Sequence, residues 1–335
     1  MSINGRVSII IPSRNERYVQ HTIDSLLTNA GGDVEVIAVL DGGPWPDPPL
    51  KDDKRLVVIR HNESTGMRPS INEAAQVATG QYLLKCDAHC IFGEGYDEIL
   101  KADCDEDWLA VPTRHSIDGP TWEKDGDAAA IRRRDFNYTV LTWPWCPTMY
   151  GMGIHAVTLD QRLNKSVNQQ RAAFLVDDII GAQGSCWFQR RDYFLSFPPL
   201  DHERLYFYGE SGEVMLRILA AGGRCVVNKR VFYGHFHKGH DNKGADGRVG
   251  RGFFLDLRKK RKCEQLLTDW CTRGWPPEWP NAHRTFVSIV EQHWWLLSQV
   301  TDPRYAWPKD DWRDFEKHRA AFESRPADQI PAHIG

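Results

Sequence analysis

The sequence predicts an α/β fold in which a mostly parallel sheet is flanked by helices and followed by a helical C-terminal extension. Buried β-branched runs alternate with amphipathic stretches through the first hundred residues, as in consecutive βαβ units. Polar turns rich in Asp and Gly follow these runs. Of the 335 residues, 41% are hydrophobic and 26% are charged, which excludes a disordered or fibrous chain.

Local signals account for each element of the first half. The continuous apolar runs 7–12 and 34–40 predict strands buried on both faces, and the amphipathic stretch 19–27 between them predicts a helix. Three further elements complete this half, namely a strand, a helix and a strand: 56–60, 70–78 and 82–84.

The second half is less regular. Residues 105–180 are rich in aromatic side chains and predict strands and long loops, and the glycine-rich segment 236–252 predicts a mobile loop. The remaining regular elements are a strand, a helix, a strand and two helices: 184–188, 210–221, 224–227, 253–270 and 284–299.

Charge and cysteine content limit the class of protein. The net charge is −3, so bulk charge alone would not hold the chain to a polyanion. The eight cysteines include no C-x-x-C pair, and free buried thiols are the simplest interpretation. No leader is seen and no apolar run approaches ~18 residues. We expect a soluble, cytoplasmic protein without a membrane anchor.

Three polar segments follow predicted strands, at 12–16, 41–43 and 87–89. Ligands of such sheets bind beyond the carboxyl ends of the strands. In the third segment, Asp87 and His89 stand two positions apart, a spacing that suits a divalent cation bridging a diphosphate. The simpler alternative is a strand-end turn with a hydrogen-bonded Asp.

The order of these motifs resembles that of GT-A glycosyltransferases of the family 2 type. The resemblance implies a UDP-sugar donor and a Mn²⁺ or Mg²⁺ cofactor, with Asp87 and His89 on the metal and Arg68 near the diphosphate. It also implies a set of residues that face the nucleoside: Pro12, Arg14, Glu16 and Asp41.

The D-x-H motif is most similar to the polypeptide N-acetylgalactosaminyltransferase branch, which has a second signature, G-E-N-x-E … G-G … G-H. Residues 208–235 match its order and spacing, with Ser211 in place of the Asn. The resemblance makes His235 the third metal ligand. No lectin module or membrane stem is expected, which excludes a Golgi enzyme.

Glu210 and Glu213 open the predicted helix of this signature. In inverting relatives an acidic residue here deprotonates the acceptor, whereas in the retaining branch it orients the substrates. Both carboxylates also favour the positive N-terminus of a helix. We predict catalytic roles for Glu210, Glu213 and Arg68, and for Glu213 the helix-end alternative stays open.

By the same resemblance, residues 1–262 form the catalytic domain and residues 263–335 a Trp- and Pro-rich helical extension. The catalytic domain comprises a nucleotide-binding half (1–104), an acceptor half (105–235) and a lid (236–252), which would exclude water from the donor.

The acceptor is the least readable part. The basic runs 132–134 and 258–262 are either solvated faces or contacts to DNA phosphates, and the Trp side chains suit either stacking on a ligand or core packing. We predict transfer, with retention by family analogy, to a hydroxymethylated pyrimidine in double-stranded DNA, as in some phage enzymes, or to a glycan or protein hydroxyl. A silent sugar- or nucleic-acid-binding module and a nucleotidyltransferase are the rival classes.

Overall fold

The computed structural model describes residues 2–145, 147–148, 151–152, 154, 156–206, 208–237, 257–302 and 305–324. Within these ranges the strands are β1 (Ile3–Ser13), β2 (Val34–Asp41), β3 (Leu56–His61), β4 (Gly80–Cys86), β5 (Cys90–Phe92), β6 (Trp108–Ile117), β7 (Ile131–Phe136), β8 (Thr139–Leu141), β9 (Pro147–Thr148), β10 (Gly151–Met152), β11 (Ala156–Thr158), β12 (Val176–Asp178), β13 (Cys186–Arg190) and β14 (Arg224–His235).

The helices flank these strands. They are α1 (Val19–Asn29), α2 (Met67–Val77), α3 (Tyr96–Ala102), α4 (Gly119–Asp125), α5 (Asp127–Ala130), α6 (Gln161–Gln170), α7 (Arg191–Ser196), α8 (His202–Leu205), α9 (Glu210–Ala220), α10 (Leu257–Arg273), α11 (Phe286–Gln292), α12 (Trp294–Leu297) and α13 (Phe315–Glu323).

The first half of the main sheet has the predicted parallel order β3-β2-β1-β4. Its helical crossovers α1 and α2 cover opposite sides, so every residue of β2 is buried. The polar segments after β1, β2 and β4 therefore meet at one edge of the sheet.

The second half makes the sheet mixed, where the sequence predicted a mostly parallel one. Strand β13 runs antiparallel to β4 and β6, and β14 is parallel to β6 but antiparallel to β5 and β12. Antiparallel neighbours need no helical crossover. From residues 105–180 the strands β6, β7 and β12 join this sheet, while β8 pairs with β11 and β9 with β10 in two separate two-stranded sheets.

Strand β14 is much longer than the predicted 224–227. It passes an irregularity between Asn228 and Phe232 and continues to His235, which lies opposite Cys90 of β5. This extension carries His235 to the edge where Asp87 and His89 lie.

The tryptophans mostly pack the core. One hydrophobic cluster runs from Ile10 in β1 through Trp143 to Trp307 and Trp312, and the Trp307 indole N–H donates to the Leu141 carbonyl at 2.9 Å. The predicted boundary at residue 262 falls inside α10. The C-terminal extension therefore shares a core with the rest of the chain, and core packing is the better of the two interpretations of its aromatic content.

Three smaller observations bear on the sequence predictions. The predicted helix 284–299 is two short helices, α11 and α12, separated at His293. The seven described cysteines are buried and unpaired, and Cys146 lies outside the described residues. Among the described helices, none combines the length and the apolar composition that a bilayer crossing requires.

Candidate active site

The three predicted metal ligands meet at the edge of the sheet. Asp87 follows β4, His89 precedes β5 and His235 ends β14, and one ligand atom from each lies within 4.8 Å of the others. The Nε2 atoms of His235 and His89 are 3.3 and 3.8 Å from Oδ2 of Asp87. Residues far apart in sequence thus form one potential cation site, the only such group found among the described residues.

The protonation states of these ligand side chains are compatible with metal binding. Burial lowers the pKa of His235 to about 3, so its imidazole is neutral and its nitrogen lone pair is available. Burial opposes ionisation of Asp87, but Lys85 and His235 outweigh it and hold the pKa of Asp87 well below its usual range. One carboxylate and two imidazoles form a chemically suitable ligand set for Mn²⁺.

Glu16 orients one of these ligands. Its Oε2 lies 2.9 Å from Nδ1 of His89, and its Oε1 accepts from the Tyr18 amide. A carboxylate on Nδ1 fixes the ring of a metal-binding histidine and directs Nε2 toward the metal. The structure thus places Glu16 behind His89, and its predicted contact with the nucleoside stays a prediction.

Lys85 is the site residue that the sequence analysis missed. Its side chain is fully buried, and its Nζ lies 2.8 Å from Oδ1 of Asp87, donates to the Gly184 carbonyl, and lies 3.9 Å from Oε2 of Glu210. Burial alone would lower the pKa of Lys85, but the two carboxylates raise it above the ordinary value. A lysine inside an apolar strand, two positions before Asp87 and so on the same face, was the available signal.

Glu210 is held from two sides at the start of α9. The Trp187 indole N–H donates to its Oε1 at 2.5 Å, and Lys85 faces its Oε2. Burial raises the pKa of Glu210 above its usual value despite these partners. The side chain is 3% exposed, so its carboxylate has a defined orientation beneath the site.

Arg68 and Glu213 form a buried structural pair. The Arg68 guanidinium donates to Glu213 and to the carbonyls of Tyr206 and Tyr208, while Glu213 also accepts from Arg217. Arg68 and Glu213 are both fully buried. Both side chains thus have their contacts inside the protein, and the predicted placement of Arg68 near the diphosphate and the predicted catalytic role of Glu213 stay predictions.

Asp41 also serves the scaffold. Its two oxygens accept five hydrogen bonds, given by His61 at the end of β3 and by Ser64, Thr65 and Gly66 in the loop that follows. Burial opposes its ionisation, but these donors lower the pKa of Asp41 to about 2. A carboxylate has about four lone pairs, so these donors already occupy Asp41, and its predicted contact with the nucleoside stays a prediction.

The other predicted positions are less constrained. Pro12 is partly buried near the end of β1, and Arg14 is exposed in the following turn; their contacts with a nucleoside remain predictions. Residues 132–134 lie on the exposed strand β7. Within the predicted lid, residues 238–252 lie outside the described residues.

Comparison with known proteins indicates the family and the fold of the chain. A family model described as "Glycosyl transferase family 2" matches residues 8–196. A Drosophila melanogaster chain provisionally named polypeptide N-acetylgalactosaminyltransferase 13 is 23% identical over 255 residues, which cover 70% of this chain and 42% of the relative.

A solved structure has the same fold. The crystal structure of GalNAc-T7 with UDP, GalNAc and Mn²⁺ superposes with a TM-score of 0.62 at 17% identity, over 88% of this chain and 57% of that one. The predicted GT-A fold is thereby confirmed. Because the family model spans more than half of the 335 residues, the chain belongs to glycosyl transferase family 2.

Proposed function

We propose that the chain is a metal-dependent glycosyltransferase that moves a sugar from a UDP-sugar to an acceptor hydroxyl. The observation that carries this proposal is the convergence of Asp87, His89 and His235 at the carboxyl edge of a family 2 sheet. The GalNAc-T7 structure, which contains UDP, GalNAc and Mn²⁺, supports the choice of donor and metal.

Asp87, His89 and His235 would hold the cation. A divalent cation there would offset the negative charge of the departing diphosphate. Two imidazoles among three protein ligands favour Mn²⁺ over Mg²⁺, which prefers oxygen ligands. Glu16 keeps the His89 ring turned toward the other two ligands.

Glu210 would position the substrates rather than accept a proton. Its Oε1 already accepts from the Trp187 indole. Its Oε2 lies 3.9 Å from the Lys85 ammonium, too far for a hydrogen bond but close enough for the charge to oppose protonation of that oxygen. A general base needs a free oxygen within hydrogen-bond reach of the acceptor hydroxyl. This orienting role agrees with the predicted retention of configuration, which rests on the family resemblance.

For the acceptor we propose a protein or glycan hydroxyl, as the names of the relatives suggest. A hydroxymethylated pyrimidine in double-stranded DNA is the second candidate, and the exposed arginines of β7 are the observation that favours it. The source of the chain, phage or other, stays a prediction.

A donor panel decides between these candidates. UDP-GalNAc, UDP-GlcNAc, UDP-glucose and UDP-galactose would each be incubated with peptide, oligosaccharide and hydroxymethylated DNA, in Mn²⁺, Mg²⁺ or EDTA. We expect one acceptor to gain the mass of one sugar, with release of UDP, only when metal is present. Release of sugar 1-phosphate, with the uridylyl group on the acceptor, would indicate nucleotidyl transfer, and failure of every arm to yield product or free sugar would contradict the proposal.

A further inference from the structure

Lys85 places a permanent positive charge directly beside the candidate metal site. Its ammonium lies 2.8 Å from Oδ1 of Asp87. It is the last residue but one of β4, lies opposite Trp187 of β13, and its side chain has no exposed surface. Water therefore cannot screen this charge as it screens a surface lysine.

The contact with Lys85 gives the two oxygens of Asp87 different surroundings. Oδ1 faces Lys85, whereas Oδ2 faces His235 and His89. Only Oδ2 points toward the place where the three ligand atoms converge. Asp87 is therefore set to offer one oxygen, not two, to a bound cation.

The charges around the site determine how strongly a cation without a counter-anion is held or repelled there. Asp87 is the only negatively charged member of the three-ligand group, and Lys85 balances it. Glu210 offsets Lys85 from 3.9 Å on the other side. Asp87, Glu210 and Glu16, which contacts His89, are three carboxylates against one ammonium, so the site keeps a net negative charge. Lys85 cancels one of these charges and repels a divalent cation that enters without a counter-anion.

We propose that Lys85 weakens the binding of the divalent cation to the donor-free protein, so that the cation and the nucleoside diphosphate bind cooperatively. The negative charge that Lys85 cancels is then supplied by the diphosphate. This inference rests on the proposed function, because it needs a diphosphate donor at the metal site. By linkage, the diphosphate strengthens cation binding by the same factor as the cation strengthens diphosphate binding.

The test measures Mn²⁺ binding from the electron paramagnetic resonance signal of the free ion, with and without UDP. In the wild-type protein we expect weak binding that UDP strengthens. In Lys85→Met, Mn²⁺ without UDP should bind about ten-fold more tightly or better, and UDP should add much less. Lys51→Met is the matched control, because Lys51 pairs with Asp24 on the surface and should leave both values unchanged.

Two further variants separate charge from structure. Lys85→Gln can still donate a hydrogen bond but has no charge, so it should bind Mn²⁺ tightly, like Lys85→Met, and it replaces that variant if the methionine protein does not fold. Glu210→Gln removes the partly compensating negative charge and should weaken Mn²⁺ binding several-fold. Damage to the site would lower Mn²⁺ affinity in all three variants.

The outcomes are distinguishable from failure of the proposed function. If the wild-type protein binds no Mn²⁺ even with UDP, the metal site itself is wrong, and the inference falls with it. If the wild-type protein binds Mn²⁺ with UDP but both Lys85 variants match it or bind more weakly without UDP, the role of Lys85 is overturned while the metal site stands.

Discussion

Two clusters of charged side chains each include one glutamate from the first turn of α9, and they differ in whether the cluster reaches solvent. The metal-edge cluster consists of Lys85, Asp87, Glu210 and the two histidine ligands. The arginine cluster consists of Arg68, Glu213 and Arg217. Glu210 and Glu213 are three positions apart on the same helix.

The arginine cluster closes on itself. Glu213 accepts from both arginines, which also donate to the carbonyls of Tyr206, Tyr208, Pro198 and Pro199, while Nε of Arg217 has no hydrogen-bond partner among the described residues. The metal-edge cluster stays open, since the Asp87 side chain is 27% exposed. Buried charges whose partners all lie inside the protein hold elements together, whereas a cluster with one solvent-accessible carboxylate can bind a ligand. The following substitutions test this contrast.

The largest effect should come from breaking the closed cluster. Glu213→Gln leaves two buried guanidinium groups without their anion, and we expect the free energy of unfolding to fall by about 3–5 kcal/mol. Urea denaturation measures this loss. Glu210→Gln is the matched variant, and it should lose clearly less stability because Lys85 keeps Asp87. Equal losses would remove the distinction between the clusters.

In the open cluster the main effect should be on activity. Asp87→Asn removes the only carboxylate of the ligand set, and sugar transfer with Mn²⁺ should fall by about 10²–10³-fold. Product mass against time measures it, and EDTA should reduce the wild-type rate similarly. Asp33→Asn, at a surface pair with Arg6, is the control. An Asp87→Asn protein with normal activity would show that the metal lies elsewhere.

Glu264 in α10 is another buried carboxylate, and it belongs to neither cluster. Neither of its oxygens has a hydrogen-bond partner, and its nearest described cation, Lys260, is 3.7 Å away. Burial therefore raises its pKa from 4.5 to about 7. The folded protein retains this proton between those pH values while the unfolded chain loses it, so the stability contribution falls as pH rises through that window.

Glu264→Gln should remove this penalty. We expect the free energy of unfolding to rise by about 3 kcal/mol at pH 8 and far less at pH 5. Urea denaturation at the two pH values measures the difference, with the exposed Glu106→Gln as control. A gain that does not depend on pH would mean that ionisation of Glu264 is not its cause.

The smallest expected effect concerns the orientation of a ligand. Glu16→Gln keeps the shape of the side chain but weakens the contact with His89, and we expect the affinity for Mn²⁺ to fall by about 10–100-fold. Titration in the presence of UDP measures it. Glu73→Gln changes the carboxylate beside His61, away from the three ligands, and should leave the affinity unchanged.

The first half of the chain was predictable because its signals are local. The apolar runs that became β1 and β2 are buried on both faces, which needs no information about distant residues. The same holds for Asp87 and His89, because two positions along one strand end point the same way. The resemblance to the family added His235, which no local pattern could have placed beside them.

Roles that depend on partners could not be predicted in the same way. Arg68 meets Glu213 across 145 positions of sequence, and Asp41 meets a loop 20–25 positions later. The sequence shows that these residues are charged but not whether their charges face solvent or each other. The tryptophans are similar, because stacking on a ligand and packing in a core need the same residue type.

Local sequence signals were enough to predict the α/β class, the parallel half of the sheet and two of the three candidate ligands. Only the tertiary structure decided the mixed second half, the closure of the arginine cluster and the position of Lys85 between Asp87 and Glu210. The difference arises from the sequence separation over which each kind of interaction acts. Strand burial and side-chain periodicity act between neighbours in the chain, whereas the ionisation and the role of a buried charge depend on whichever distant group folding brings within a few ångströms.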